Sequence, residues 1–544
     1  MIRHDDASVS ETLRTQNDGG LVFTRRSLLA AAGGAALAGP LAACNGSQPT
    51  SSSGAASRTP RRGGSFRLAV TGGSSADLMD AQAIVSKPDQ ARLMTAFETL
   101  LEYDENFVLR ETGLAERVTQ DSPTQWTIEL RRGIEFQNGK TFEAEDVVYS
   151  LRRIIEPQNG LSGAAGLSAL DPAGIRAVDR YVVRLSLARP SSAIADELAQ
   201  YYNGMVPVGY RRWPAPQHGT GGYVLRSFTP GQQSVHERFA NCWRSPAPWF
   251  DRVTVIDFPS ATAQVNALLS NQVDAMTDMP FAQLRDAEEH GIRILVSHTG
   301  GWLPMCMAID LRPFADHRVR QALRLLADRR AMVEQVLAGY GTVANDLFSP
   351  FDPSFDHTLP QRERDVGKAR SLLRAAGVSG AVDLFTTNAA AGMVDIATVF
   401  ASQVNEANAG ITVNVRDDPS FYAHRYLKEP FSVDFWGTRN YLSQVADSML
   451  PTSPENETHW PPRTGPGSGY AALYRQARAE TDEARRRELI HEMQRLEYAY
   501  GGYIIPFYND HVDAHSASVL GLRPNRGPLN LDAYGSGYRT MWFA

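Results

Sequence analysis

Between Gln125 and Ile155 the hydrophobic pattern changes period, and that change constrains the fold more than any other stretch of the chain. In QWTIEL (125–130), Trp126, Ile128 and Leu130 alternate with polar residues, which places them on one face of a β-strand. Asn138-Gly139 then supplies hairpin chemistry, because both residue types tolerate the left-handed backbone that a tight turn needs. In EAEDVVYSLRRII (143–155), Val147, Leu151 and Ile154 recur at helical spacing. A chain that sets both periods side by side must pack helices on sheets, so the expected class is α/β.

The same two patterns recur along the chain. GGSFRLAV (63–70) alternates Phe66, Leu68 and Val70, and YVVRLSL (181–187) is a second strand candidate. DHRVRQALRLLADRRAMVEQVLAGYG (316–341) carries Val319, Ala322, Leu323 and Leu326 on one helical face, with Gly339 as its stop. DVGKARSLLRAAG (365–377) is a shorter helix of the same design. A long helix is expected over YAALYRQARAETDEARRRELIHEMQRLEYAY (470–500), leading through Gly501 and Gly502 into strand-like YIIPFYNDHVDAHSASV (503–519). There is no internal repeat, and periodicity alone does not give the order of the strands.

The N-terminus carries a different message. In TRRSLLAAAGGAALAGPLAAC (24–44), Arg25 and Arg26 precede an apolar run from Leu28 to Leu37, and small residues lead to Cys44. That is the layout of a cleavable export signal, and its apolar run is well short of the roughly 18 residues that span a bilayer. The paired arginines point to twin-arginine export, and LAAC resembles a lipobox in which Cys44 becomes the acylated first residue. Ordinary cleavage with an unmodified Cys44 is the alternative. NGSQPTSSSGAASRTPRR (45–62) has almost nothing to bury, so it is expected to be a flexible tether with a reach of about 25 Å. The expected division is therefore a signal over 1–43 and a lipidated cysteine with its linker over 44–62, holding the protein at the outer face of the cytoplasmic membrane or in the periplasm.

Composition narrows the function. A net charge of −6 with no basic stripe argues against nucleic acid. About 500 residues follow the signal, enough for two or three domains. Beyond Cys44 only Cys242 and Cys306 remain, compatible with one bridge or with two buried thiols. A search for catalytic motifs yields little. GIEFQNGKT (133–141) fails the phosphate-loop spacing, no serine lies in a Gly-x-Ser-x-Gly elbow, and His236-Glu237 and His491-Glu492 lack the second histidine of a zinc helix. His511, Asp513 and His515 share one strand face, where they either clasp a metal or are ordinary polar positions. No metal, cofactor or catalytic residue is expected.

Four longer segments carry a resemblance: LAERVTQDSPTQWTIELRRGIEFQNGKTFEAEDVVYSLRRI (114–154), HGTGGYVLRSFTPGQQSVHERFANCWRS (218–245), the 316–341 segment, and RRRELIHEMQRLEYAYGGYIIPFYNDHVDAH (485–515). In this order they resemble the family 5 solute-binding proteins, which serve peptide, nickel and related ABC importers. The resemblance implies a two-lobed periplasmic-binding-protein fold of type II, in the large cluster C class. It implies a discontinuous first lobe over 63–104, 216–300 and 501–544, an inserted subdomain over 105–215, and a second lobe over 301–500. Hinge closure around a small-molecule or peptide ligand would present a surface to a permease and its ATPase, with the receptor a monomer and no covalent chemistry required.

The resemblance also nominates a ligand site. Peptide-binding relatives carry a Trp followed three residues later by an Asp that pairs with the ligand's ammonium. VDFWGTRNYLSQVADS aligns Trp436 with that Trp and puts Arg439 in the place of the Asp, with Asn440 beside it. A guanidinium there suits a carboxylate or other planar anion, giving a peptide-like, opine-like or anionic ligand; alternatively Arg439 pairs internally with Asp447. Trp302, Trp436 and Trp460 are expected near the cleft, as stacking platforms or as core. Gly73 and Ser74, in the turn after the first strand, would let a ligand approach backbone amides. The other reading on this fold is a secreted enzyme or a surface interaction protein.

Overall fold

A computed structural model describes residues 59–84 and 86–544. The export arginines Arg25 and Arg26, Cys44 and the linker through residue 58 lie outside the described residues.

Three sheets organise the rest. The first runs in the order Ile292–Trp302, Phe507–Ser516, Ala275–Met276, Ser65–Thr71, Arg252–Phe258, Gln233–Arg238, Tyr223–Thr229, with Gly341–Val343 also paired to Phe507–Ser516. Its centre is parallel, Ser65 facing Arg252 and Leu68 facing Ala275, and Phe66, Leu68 and Val70 are fully buried there. The alternation anticipated for 63–70 is thus a central strand. The second sheet runs Ile411–Asp417, Gly380–Thr386, Phe431–Val433, Met305–Met307, Tyr503–Ile504. It packs its apolar side on helices His317–Leu326, Arg329–Leu337, Val366–Ala376 and Met393–Ala407. A third, four-stranded sheet (Ala115–Ser122, Gln125–Leu130, Val182–Ser186, Arg176–Asp179) buries Trp126, Ile128 and Leu130 against helix Ala144–Ile155. That helix starts on a capping box in which Asp146 accepts from the Glu143 amide at 3.1 Å.

Two helices expected to be continuous are each divided by an aspartate. Asp328 accepts from the Ala331 amide and starts a new helix after His317–Leu326, and Asp482 does the same through Arg485, separating Tyr470–Ala479 from Glu483–Tyr500. An N-cap offers the orphan amides of a helix start a partner, so it can begin a helix inside an unbroken apolar pattern. The strand-like 503–519 stretch is likewise divided at Ile505-Pro506, and its two halves belong to different sheets.

Near the C-terminus, Leu531 to Gly537 all have positive φ and wind a left-handed turn. Such a backbone costs roughly 1–2 kcal/mol for each residue with a side chain. Asp513 offsets part of this by accepting from the Leu531 amide and the Asn530 side chain, and Tyr534 and Tyr538 are fully buried. Asp513 is therefore committed to this turn. Burial holds the His511 imidazole down at about 4, and no group of three metal-ligating side chains assembles among the described residues. Cys242 and Cys306 are both buried free thiols. Among the described residues, no helix is long and apolar enough to cross a membrane.

Candidate functional site

The first and second sheets are joined where two strands cross between them. One crossing runs from Trp302 through Leu303-Pro304 to Met305, and the other from Ile504 through Ile505-Pro506 to Phe507. Residues 434–440 lie along the first crossing. Trp302 and Trp436 exchange backbone hydrogen bonds at 2.9 Å in both directions, and the Asp434 amide donates to the Pro304 carbonyl at 3.1 Å. Extended backbone alternates its faces, so Asp434, Trp436 and Thr438 turn inward while Phe435, Gly437 and Arg439 turn out.

The inward face is core. Trp436 is 8% exposed, stacks on Trp302 at 6.0 Å and donates its indole N–H to Glu457 Oε1 at 3.1 Å. Trp302 is 1% exposed and also stacks on Phe348 at 5.6 Å; Trp460 is buried against Tyr470. In this arrangement the three tryptophans have no free ring face for a ligand. The outward face carries Phe435, at 46% exposure, and Arg439. Arg439 forms an ion pair with Asp447, the internal pairing that the sequence left open, and its guanidinium lies 5.2 Å from the Trp436 ring.

Asn440 reaches across to the segment that carries the third sheet. Its Nδ2 donates to Asp196 Oδ1 and lies 3.4 Å from Tyr103 Oη, which itself donates to the same Asp196 oxygen at 2.8 Å. Asp196 and the adjacent Glu197 end the short helix Ile194–Glu197. Burial pushes the Asp196 carboxyl up to about 6 against the opposing hydrogen bonds of Tyr103 and Asn440, with the Asp352 charge adding to the rise. Burial also pushes Glu197 up to about 7, opposed by Arg439 and Arg478. Ser443 Oγ donates to Glu197 Oε1 at 3.5 Å. Asn440 Oδ1, Ser192 Oγ and Arg478 Nε are buried here without a hydrogen-bond partner among the described residues. A contact that buries polar groups with so few protein partners gains little over the same groups solvated, so it opens at low cost.

A cavity of about 240 Å³ adjoins this contact, with Tyr103, Phe107, Tyr201 and Pro528 in its walls. Tyr103 and Phe107 stack at 4.2 Å, and a Cβ added to Gly437 would stand 3.2 Å from Pro528 Cβ, so the cavity meets the outward face of residues 435–439. Glu98 and Glu102 also line it, held by Arg244 and Arg539. Gly73 and Ser74 sit elsewhere on the first sheet. Gly73 has φ +93, where a Cβ would fall 2.6 Å from Asp257 Oδ2, and the Ser74 amide donates to Asp77 at 3.0 Å. The structure therefore brings Trp302, Trp436, Arg439 and Asn440 together and leaves Gly73 and Ser74 with Asp77 and Asp257.

Residues 111–457 match the family described as bacterial extracellular solute-binding proteins, family 5 Middle. The chain belongs to this family. This family 5 solute-binding protein is 26% identical over 316 residues to the glutathione-binding protein of Escherichia coli (strain K12), covering 57% of this chain and 61% of that one. It thus spans about three fifths of the length of that curated relative. Among solved structures it resembles a periplasmic binding protein in complex with agropinic acid from A. tumefaciens R10, with a TM-score of 0.72, 20% identity, and 88% of this chain and 99% of that one covered. It also resembles an ABC transporter substrate-binding protein from Listeria monocytogenes, with a TM-score of 0.78, 17% identity, and 89% and 100% covered. The fold is that of the type II periplasmic binding proteins, as expected. The relatives named are binding proteins.

Proposed function

We propose that this family 5 protein is the substrate receptor of an ABC importer, taking a small polar solute between two lobes that close on a hinge. The single observation that carries the reading is the Asn440–Asp196–Tyr103 contact, which joins the two sides of a cleft through polar groups that are only partly satisfied. Such a contact forms and opens at low cost, and a ligand that bridges it stabilises the closed state by binding it better than the open one. The two crossings at Leu303-Pro304 and Ile505-Pro506 would be the hinge. The lobe division follows the one expected from the sequence, with the insertion at 105–215, except that its boundaries move to the two crossings: the first lobe takes 63–104, 216–302 and 507–544, and the second takes 305–504, because Trp302 pairs within the first sheet and Tyr503–Ile504 within the second.

In this reading Arg439 and Asn440 meet the ligand, with Phe435 as a stacking face beside them. Arg439 exchanges part of its pairing with Asp447 for a carboxylate or similar anion on the solute. Glutathione and agropinic acid, named with two relatives, are small polar solutes of this kind. Cys44 would carry lipid and hold the receptor, as a monomer, on the outer face of the cytoplasmic membrane beside its permease and ATPase. A thermal-shift screen of residues 45–544 against peptides, amino-acid conjugates, opine-like acids and metal chelates tests the reading. A compound at 100 times its dissociation constant adds about 2.7 kcal/mol to stability. A carboxylate-bearing hit is the expected result. Turnover of a hit would sink the receptor reading, and a shift that requires a free amine and no acid would remove Arg439 from the site.

A further inference from the structure

A second cavity, of about 360 Å³, shares no lining residue with the cleft and opens on the flank of the second sheet. Arginines dominate its walls: Arg329, Arg330, Arg362 and Arg364, with Asp328 and Glu363. Behind it the charge balance fails. Asp346 is a single buried carboxylate facing three guanidiniums, with Arg329 Nη2 2.8 Å from both its oxygens, Arg362 Nε at 2.8 Å and Arg324 Nε at 3.8 Å. Arg329 is 4% exposed and its Nε has no partner among the described residues. Desolvation pushes the Arg324 guanidinium down to about 9; Asp346 opposes this, and the neighbouring Arg362, Arg320 and Arg329 add to it.

The mouth of the cavity adds more positive charge. Arg364 donates its Nε to the Leu326 carbonyl and its Nη2 to the Gln403 carbonyl, both at 3.2 Å, and has no ion pair among the described residues. Arg330 is exposed and has no hydrogen bond or ion pair among the described residues. Helix Arg329–Leu337 also begins here. Its cap Asp328 takes the Ala331 amide at 3.1 Å, and the amides of Arg329 and Arg330 lie at the helix's positive end. Five guanidiniums thus meet three carboxylates around one cavity at a helix start.

We propose that this cavity binds a phosphate-type oxyanion, gripped at the mouth by Arg330 and Arg364 and neutralising excess charge of the Arg329–Arg362–Asp346 cluster behind it. Two guanidiniums can bond such an oxyanion in bidentate fashion, and a helix N-terminus adds amide donors with the right polarity. The site is independent of the cleft and of its ligand. The phosphate group is either a free anion or the phosphodiester of an anionic lipid headgroup, which on the reading proposed above, with Cys44 lipidated, lies within reach.

The experiment is thermal unfolding of the exported protein in rising sodium phosphate, with sodium chloride matched for ionic strength. Phosphate stabilises most proteins by exclusion from their surface, so the readout is the difference between wild type and an Arg330→Gln/Arg364→Gln variant. The wild type is expected to show a saturable rise in Tm with its midpoint at millimolar phosphate. The variant should need at least ten times more, and Arg330→Lys/Arg364→Lys should fall between the two. A variant Tm in chloride close to that of wild type shows that the fold survives the change. A second arm floats Cys44→Ser protein on phosphatidylcholine vesicles with and without phosphatidylglycerol. Arginine-dependent stabilisation by free phosphate supports a small-anion site. Arginine-dependent flotation without that stabilisation supports the site with a lipid headgroup as its occupant. No arginine-dependent difference in either arm overturns the proposal.

Discussion

Phe435 and Trp436 are chain neighbours with opposite roles, and single substitutions should separate them. Trp436→Ala removes a ring from the aromatic core around Trp302, Phe348 and Tyr503 and is expected to cost about 3–5 kcal/mol in chemical denaturation. Phe435→Ala removes an exposed ring, should change stability by no more than about 0.5 kcal/mol, and should weaken ligand binding in calorimetric titration. Equal losses of stability in the two variants would contradict this division. Arg439→Ala should weaken binding more than tenfold while costing less than about 1 kcal/mol of stability, because its bridge to Asp447 is partly solvated. Unchanged affinity would place Arg439 outside the site. That Trp436, Arg439 and Asn440 lie together follows from their closeness in one stretch, which the resemblance singled out. Of the two readings the sequence offered for Trp436, stacking platform or core, the structure has core, and the outward turn of Phe435 is what sequence reasoning did not single out. Tyr103, Asp196 and Glu197 left no sequence signal: they reach Asn440 only through the tertiary fold, and Asp196-Glu197 reads as an ordinary acidic pair in a short helix.

Among elements, strands and helices of strong period were legible, including Ser65–Thr71, Gln125–Leu130, Ala144–Ile155 and Val366–Ala376. The breaks inside long helices were not, because the apolar spacing continues past Asp328 and Asp482 and hides the change of axis. A cap has a measurable value. Asp482→Ala should destabilise the protein by about 1 kcal/mol in urea unfolding, through lost capping of the Arg485 amide. No effect would mean that packing of Leu489, Ile490 and Met493 alone sets the start of that helix. The left-handed turn at 531–537 had no sequence signal beyond Gly535 and Gly537; it is held by Asp513 and Asn530 from outside its own stretch.

For the whole molecule, the cleft contact should respond to pH. Asp196 faces Tyr103, Asn440, Asp352 and Arg486, and Glu197 faces Arg439, Arg478, Asp196, Tyr202 and Ser443. Both carboxyls lie above their hydrated values of about 3.9 and 4.3, at about 6 and about 7, so closing the contact takes up protons. The contact is favoured most below the hydrated values and weakens as pH rises through 6 and 7. X-ray scattering of the ligand-free protein should therefore give a smaller radius of gyration at pH 5 than at pH 8, and Asp196→Asn/Glu197→Gln should flatten that dependence. A radius that shrinks with rising pH would reverse the sign and reject the account. The position of Phe507–Ser516, inside the first sheet between Ile292–Trp302 and Ala275–Met276, reaches back to synthesis. Until the last forty or so residues leave the ribosome, roughly by the chain-length logic of non-local pairing, the nascent first sheet has an open slot one strand in from its edge, with Ile292–Trp302 and Ala275–Met276 unpaired on either side of it. A ribosome that stalls late therefore releases a chain primed to capture a stray strand, and the first sheet is completed only once roughly the final tenth has been translated.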